Sequence, residues 1–362
     1  MNIIIGFDIG GTNSRAAIAG VEGDKLIPHP DFPDLIDQKV GSKNALKAFI
    51  RDLLGRLPET DRLTGALLAL AGPVTHRRGV TMTNWPESRD MTLEEFVEWG
   101  LPRERTTLLN DMEAGCYGLV RHLREGGGEY FERVGDHDAP SPVALDENGG
   151  AGNRVFIAPG TGLGAAGIIE VDGPPGAPPR VYPIAAELQN TPMPVLRAEH
   201  RTVVDWLRRE KHIPHPTWED IVSGRGLVSL YRALAAASTN GSAGAAGVLI
   251  RTADPAAAIA KAGIMGEDPM ARQALSVFYG CVGHFCQLMA LGFQAFGGVF
   301  IGGASTLKNR DFIQDDPNGS VLPNAFLNNP TQRPLLARFP LYLVKKGDLN
   351  LDGTLWFGHH LS

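Results

Sequence analysis

Three short glycine-containing turns follow apolar segments of this 362-residue chain, and their chemistry is that of anion binding. The turns are Asp8–Asn13, Gly160–Gly164 and Gly302–Gly303. Glycine has no Cβ to hold an anion away, and the amide N–H groups of such a turn can point at phosphate oxygens. One such turn is more often only a turn, but three together, two of which contain threonine, favour phosphate binding. None matches the GxGxxG or GxxxxGK[ST] nucleotide patterns.

Asp8 begins the first of these turns and places a negative charge beside a predicted phosphate site. A carboxylate repels phosphate unless a divalent cation lies between them. The combination of an aspartate, a glycine turn and a threonine therefore predicts a Mg²⁺–nucleotide element.

Polar residues that could bind a small hydroxylated ligand or move a proton lie at three other places. Asn110 and Asp111 follow a predicted strand over Thr106–Leu109, the position at which α/β folds place their ligands. The alternative is that they cap the next helix, because both residue types do so. Glu187 and Glu219 are each most simply solvated surface acids. The residue types alone leave these alternatives open.

The elements that must position these groups are predicted from apolar periodicity and from turn residues. Ile3–Phe7 and Ser14–Ala19 flank the first glycine turn as two apolar strands, and Val155–Ile157 and Ala165–Ile169 flank the second in the same way. Strands elsewhere alternate with helical patterns, which indicates a mostly parallel sheet covered by helices. We therefore expect an α/β fold with two related lobes and a cleft between them.

Three of the predicted helices begin at residues that are typical of helix N-caps. Ser42 precedes an amphipathic segment, Thr92 and Glu95 have the spacing of a capping box, and Asp268 and Pro269 suit the N-cap and first turn of a long helix. These positions fix where the predicted helices begin.

Composition excludes several classes of protein. The formal net charge is −6 and no Lys/Arg run is longer than two, so a nucleic-acid partner is not expected. Three cysteines are too few for a disulfide framework, which favours the reducing cytoplasm. The N-terminus lacks the features of a signal peptide. The apolar stretch Leu288–Ile301 is shorter than a membrane span, so we expect a soluble protein.

Taken in order, the motifs resemble those of bacterial glucokinases. This is the group that lacks the zinc-binding cysteine motif of the ROK kinases, within the actin/hexokinase/Hsp70 superfamily. The matching segments are Phe7–Arg15, Leu109–Asp111, Ala158–Gly164, Ser223–Tyr231 and Phe296–Gly303. Single motifs are shared widely across the superfamily, whereas the ordered set, which spans nearly the whole chain, is far more specific.

The resemblance implies two actin-like, ribonuclease-H-like lobes, with residues 1–111 plus about 346–362 in the small lobe and residues 112–345 in the large one. It implies ATP-dependent phosphorylation of glucose to glucose 6-phosphate at the start of glycolysis, in a cytoplasmic homodimer that uses Mg²⁺. Asp111 would be the catalytic base and Asp8 would lie at the metal. The residues implied for the sugar are Asn110, Asp111, Glu187, Asn190 and Glu219, and those for ATP are Asp8, Gly10, Gly11, Thr12, Asn13, Gly160, Thr161, Gly162, Gly302 and Gly303.

One departure bears on the sugar. The family pattern around the middle acid is Glu-Gly-Gly-His, whereas this chain has Glu187-Leu188-Gln189-Asn190. An amide can still donate and accept hydrogen bonds, so another hexose such as mannose, fructose or an amino sugar is an alternative substrate. A sugar-binding regulator and an actin-like or chaperone ATPase are alternatives of other classes, which Asp8, Asp111 and the acids disfavour. The sequence predicts no function for the loops 126–153 and 240–247.

Overall fold

The computed structural model describes residues 1–11, 13–23, 25–83, 85–87, 89–135, 152–174, 179–238, 248–315 and 321–360. Its contacts divide the chain into two compact units. The first comprises Met1–Gly126 with Asp348–Ser362, and the second comprises Gly127–Gly347. The predicted loops 126–153 and 240–247 fall largely outside the described residues.

The first unit contains a six-stranded sheet and a small three-stranded sheet. In the larger sheet the order is β3-β2-β1-β5-β9, with β4 paired to β2. β1 and β2 form the predicted antiparallel hairpin, while β1, β5 and β9 run parallel. The strands are β1 Asn2–Ile9, β2 Asn13–Glu22, β3 Lys25–Pro28, β4 Ile36–Lys39, β5 Arg62–Leu70, β6 Val74–Thr75, β7 Gly79–Thr81, β8 Asp90–Thr92 and β9 Thr106–Asn110.

Two helices of the first unit begin where the sequence predicts caps. Ser42 accepts a hydrogen bond from the Ala45 N–H, and Thr92 and Glu95 form both bonds of a capping box. The helices are α1 Lys43–Gly55, α2 Leu93–Glu98, α3 Asp111–Arg124 and α12 Leu349–His360.

The boundary between the units differs from the predicted one. The sequence prediction ended the small lobe at residue 111, but the first unit continues to Gly126. The reason is that α3 packs closely against the C-terminal helix α12. Glycines allow this approach, because a Cβ on Gly353 would lie 1.8 Å from the Ala114 carbonyl oxygen. Two helices so far apart in sequence give no local signal of their contact.

The second unit repeats the sheet design of the first. Its strand order is β10-β15-β14-β11-β12-β13, in which β11 and β12 form the second predicted hairpin and β11, β14 and β15 are parallel. The strands are β10 Phe131–Arg133, β11 Arg154–Pro159, β12 Leu163–Val171, β13 Arg180–Ala186, β14 Gly298–Ile301 and β15 Leu341–Val344. The described helices are α4 Ala198–Glu210, α5 Gly224–Ala237, α6 Pro255–Ile264, α7 Pro269–Phe293, α8 Ala304–Lys308, α9 Arg310–Asp315, α10 Val321–Phe326 and α11 Arg333–Leu336.

Helix α7 is the central helix of the second unit. Asp268 accepts hydrogen bonds from the N–H groups of Met270 and Ala271, and Pro269 occupies the first turn, as predicted. Among the described helices it alone is long and apolar enough to cross a membrane by length and composition, and 72% of its most apolar window is buried. Its residues belong to the apolar core of the unit.

Candidate active site

Asp8 lies at the end of β1 within a network of hydrogen bonds. It stands directly opposite Arg15 in the β1–β2 pairing, and the Arg15 Nη2 donates to Asp8 Oδ2 over 2.7 Å. The Asn350 Nδ2 donates to Asp8 Oδ1 over 3.1 Å. Arg15 also pairs with Asp348 at 2.6 Å. The carboxylate of Asp8 is therefore buried and held by two partners from different segments.

The first predicted glycine turn is closed by its own backbone. The Gly10 N–H donates to the Asn13 carbonyl oxygen over 3.0 Å, and a Cβ on Gly10 would approach that oxygen to 2.9 Å. Gly11 is half-buried and Asn13 is exposed, so this part of the turn is accessible. Thr12 lies outside the described residues.

The donor set around Asp8 fits a Mg²⁺ ion that is held mainly by a nucleotide. Mg²⁺ in nucleotide sites takes one or two carboxylates and completes its shell with phosphates and water. Each Asp8 oxygen accepts one hydrogen bond from the residues named above and can accept another. The described residues include no group of three His, Cys, Asp or Glu that could hold a metal, so phosphate oxygens would have to supply the other ligands.

Asn110 and Asp111 lie at the junction of β9 and α3. Asn110 is the N-cap, since its Oδ1 accepts from the N–H groups of Met112 at 2.9 Å and Glu113 at 3.3 Å. Its Nδ2 donates to the Gly72 carbonyl over 3.0 Å. Asp111 is half-buried in the first helical turn, where its Oδ1 accepts from the Met112 N–H over 2.8 Å. Asn110 is therefore the residue that caps the helix, and Asp111 is the first residue of the helix.

A second carboxylate near this helix start has a structural partner. Glu113 pairs with Arg77 at 2.6 Å, and burial raises the pKa of Glu113 although the Arg77 guanidinium acts to lower it. Burial also raises the pKa of the neighbouring Tyr117. The Arg77 pair gives Glu113 a role in holding the helix start.

In the second unit, the second and third glycine segments lie against each other. The Gly160 N–H donates to the Gly162 carbonyl over 2.8 Å, and the Gly224 N–H donates to the Gly160 carbonyl over 2.9 Å. Gly303 has a φ of 97°, and a Cβ there would lie 2.4 Å from the Pro159 carbonyl oxygen. Only glycine fits this approach. Gly302 is buried against the Phe156 ring, whereas Thr161 is exposed.

The predicted sugar residues of the second unit form one cluster. The Asn190 Nδ2 donates to Glu187 Oε2 over 2.7 Å, and the Gln189 Nε2 donates to the same oxygen over 2.9 Å. The Glu219 N–H donates to the Gln189 carbonyl over 3.1 Å. Glu219 Oε2 accepts from the Leu163 N–H over 3.2 Å. The acids Glu187 and Glu219, which looked like isolated surface residues in the sequence, are thus linked to each other and to the glycine turn.

The sequence profile of a known family decides the classification, because the glucokinase profile matches residues 5–360. The chain belongs to the glucokinase family. A glucokinase of Paramagnetospirillum magneticum is 30% identical over 339 residues, which cover 93% of this chain and 91% of that protein.

Solved glucokinase structures share the fold. The Balamuthia mandrillaris glucokinase in complex with glucose matches with a TM-score of 0.78 at 24% identity, covering 99% of this chain and 93% of that one. A ROK family glucokinase from Streptomyces griseus in complex with glucose and AMPPNP matches with a TM-score of 0.58 at 19% identity, covering 98% of each. The predicted actin-like α/β fold class is confirmed.

Three residues of this glucokinase-family site were not predicted. Arg15 holds Asp8, Arg225 contacts Glu219, and Gln189 is buried beside Glu187 with its Oε1 unpartnered among the described residues. The register of the first hairpin would have placed Arg15 opposite Asp8. Arg225 lies six residues from Glu219 and Gln189 two residues from Glu187, and neither spacing by itself predicts a side-chain contact outside regular structure.

Proposed function

We propose that this member of the glucokinase family transfers the γ-phosphoryl group of ATP to O6 of glucose and forms glucose 6-phosphate. The observation that carries the proposal is the link between Glu219 and the Gly160–Leu163 turn through the Leu163 N–H. It joins the cluster of Glu187, Asn190 and Glu219 to a glycine turn. Carboxylates and amides suit sugar hydroxyls, which both donate and accept, and a glycine turn suits phosphate.

Asp111 is the proposed general base. It would accept the proton of the O6 hydroxyl as that oxygen attacks the phosphorus in line, a step in which positioning supplies most of the rate. Asn110 supports this role by fixing the helix start, and its Nδ2 retains a second N–H beyond the bond to Gly72 for a sugar hydroxyl. The proposal assigns the base to the first unit and the hydroxyl-binding cluster to the second.

ATP with Mg²⁺ is the proposed phosphoryl donor. When bound, the metal would neutralise charge on the phosphate oxygens. Asp8 would hold it, and Arg15 and Asn350 would orient the Asp8 carboxylate. The residues proposed at the phosphates are Gly10, Gly11, Thr12, Asn13, Gly160, Thr161 and Gly162, with Gly302 and Gly303 towards the nucleoside. We also propose a cytoplasmic homodimer that contacts neither membrane nor nucleic acid, on the family resemblance and the composition.

A second candidate substrate follows from Asn190, which stands where the family pattern has histidine. Its amide donates to Glu187, and together they would contact one sugar hydroxyl. Mannose, fructose or glucosamine could therefore replace glucose as the preferred acceptor.

The sugar preference is tested by ADP release with glucose, mannose, fructose and glucosamine in turn, for the natural chain and for Asn190→His. We expect glucose to give the highest kcat/KM. We expect the variant to change the ratio between sugars by about the free energy of one hydrogen bond, ~0.5–1.5 kcal/mol. ADP release that does not depend on sugar would contradict the proposed function. Unchanged ratios of kcat/KM between the sugars in the variant would show that Asn190 does not contact the sugar.

A further inference from the structure

A cavity of about 320 Å³ lies in the second unit, beside helices α4 and α5. This volume is at the lower end of the range for small-molecule sites. Its lining combines apolar and charged side chains. The lining residues are Leu207, Lys211, Ile213, Asp220, Arg225, Val228, Ser229 and Arg232.

The charges of the lining favour a dianion. Lys211, Arg225 and Arg232 are cationic, and Asp220 is the acid among the lining residues, so the formal charge of the lining is about +2. The Oδ2 of Asp220 accepts hydrogen bonds from the N–H and the hydroxyl of Thr217, both at 2.9 Å. These bonds offset part of the negative charge that would oppose an anion.

One of the lining arginines contains a buried donor without a partner. The Nε of Arg232 is buried and has no hydrogen-bond partner among the described residues. The terminal N–H groups of the Arg232 guanidinium, and not its Nε, would therefore be the donors that an anion in the cavity meets. Arg225, Ser229 and Arg232 are spaced by four and three residues along α5, so their side chains share one face of the helix. An anion in the cavity would meet the two arginines, whereas the Ser229 hydroxyl already donates to the Arg225 carbonyl.

Arg225 belongs both to this cavity and to the candidate sugar site. Its Nη2 contacts Glu219 Oε1, while the other oxygen of Glu219 accepts from the Leu163 N–H. The Arg225 side chain is 60% exposed, so it can change partners without unpacking a core. An anion that draws Arg225 into the cavity would release Glu219 Oε1 as an acceptor.

We propose that this cavity binds a small organic phosphate monoester and that its occupancy strengthens sugar binding at Glu219. A phosphate monoester carries a charge of about −1.5 to −2 at neutral pH, which matches the lining. The apolar lining residues Leu207, Ile213 and Val228 would accommodate its organic part. Binding of the phosphate monoester is inferred from the cavity alone, whereas its effect on sugar binding rests on the proposed function.

Binding is tested by isothermal titration calorimetry on the full chain without ATP or sugar. The probes are glycerol 3-phosphate, inorganic phosphate and, as an uncharged control, glycerol. We expect glycerol 3-phosphate to bind with a dissociation constant below about 1 mM and more tightly than inorganic phosphate, because only the former contacts the apolar lining residues. No binding, or binding by glycerol as strong as by its phosphate, would overturn the proposal.

Variants locate the binding. Lys211→Gln and Arg232→Gln should each weaken glycerol 3-phosphate binding about tenfold or more, the loss expected for one charge-assisted hydrogen bond. Arg201→Gln removes an exposed charge of α4 outside the lining, and it should bind the probe as the natural chain does. All three should phosphorylate glucose normally without the probe, which shows that they fold. Equal probe affinity in all three would place the anion elsewhere and overturn the proposal.

The coupling is measured as the dissociation constant of glucose with and without saturating glycerol 3-phosphate. We expect glucose to bind about fivefold more tightly with the probe present, and we expect this gain to be lost in Arg232→Gln. Unchanged or weaker glucose binding would overturn the coupling. If glucose does not bind at all, the proposed function is wrong. Binding of glycerol 3-phosphate in the cavity is judged separately, by the calorimetric titration.

Discussion

At the scale of single residues, the structure shows that residues which stand apart in the sequence motifs have specific side-chain partners. Asp8 is joined to Arg15 and Asn350, and Glu187 is joined to Asn190 and Gln189. The glycine turns and acids could be selected from the sequence because their residue types are suited to phosphate and to hydroxyl groups. The partner Asn350 could not, since it is far from Asp8 in the chain and approaches it only after folding.

Asp8→Asn tests the metal assignment. The substitution removes the charge but retains the size, so we expect the KM for MgATP and the Mg²⁺ concentration for half-maximal rate to rise about tenfold or more, as for loss of a charge-assisted contact. Glucose affinity without nucleotide should stay near that of the natural chain.

Asp348→Asn is the matched control, because Asp348 is the other partner of Arg15 and its side chain is 46% exposed. It should change MgATP use much less. If Asp8→Asn weakens glucose and MgATP binding equally, Asp8 is a structural partner of Arg15 and the metal assignment is wrong.

At the scale of elements, the two hairpins were predictable because apolar runs flank glycine turns at both sites. The caps at Ser42, Thr92 and Asp268 were predictable for a similar reason, since capping is a local interaction. The assignment of α3 to the first unit was not predictable from the sequence, because it depends on packing against α12.

Hairpin β11–β12 contains a buried ion pair that we expect to be essential to its stability. Arg154 is fully buried and its Nη1 lies 2.6 Å from Glu170 Oε2. Glu170→Ala leaves a buried charge without a partner and should lower the free energy of unfolding by about 3–5 kcal/mol.

Urea denaturation measures this loss of stability, and two other variants are compared with Glu170→Ala. Glu210→Ala removes an acid from the exposed pair with Arg209 and should change stability by less than about 1 kcal/mol. The double variant Arg154→Met with Glu170→Leu should be more stable than Glu170→Ala, because it removes both charges. A loss for Glu170→Ala no larger than that for Glu210→Ala would contradict the role of the pair.

Helix α7 carries a histidine that makes the stability depend on pH. Burial, together with electrostatic repulsion from His200 and Arg197, lowers the pKa of His284 to about 4. Between pH 6.5 and 4 the unfolded chain therefore binds a proton that the folded chain does not. Stability should fall as pH falls through this window, by up to about 1.4 kcal/mol per pH unit from this group.

Urea denaturation between pH 7 and 4.5 checks this expectation. His284→Gln should be less sensitive to pH in the window than the natural chain. His215→Gln, which changes an exposed histidine of the same unit, should keep the sensitivity of the natural chain. The same slope in both variants would contradict the assignment to His284. Burial also lowers the pKa of His200, so part of the slope should remain in His284→Gln.

At the scale of the whole molecule, each unit carries a hairpin with a glycine turn at the end of a parallel strand, but the units differ in the chemistry they add. In the proposed site, the first would contribute Asp8 and Asp111, and the second would contribute Glu187, Asn190 and Glu219. Composition and motif order were enough to predict the class of enzyme. They could not show that the acids of the second unit are linked to its glycine turn.

The central claim is phosphoryl transfer to glucose with Asp111 as the base, and the most direct measurement is the rate of glucose 6-phosphate formation by the natural chain and by Asp111→Asn. The variant can still accept the Met112 N–H but cannot take a proton at neutral pH. We predict glucose 6-phosphate from the natural chain and a kcat at least ~10²-fold lower in the variant. The melting temperature should be unchanged, and Asp34→Asn, an exposed acid of the same unit, should be fully active. No glucose 6-phosphate from the natural chain, or a variant rate within a few-fold of it, would contradict the account.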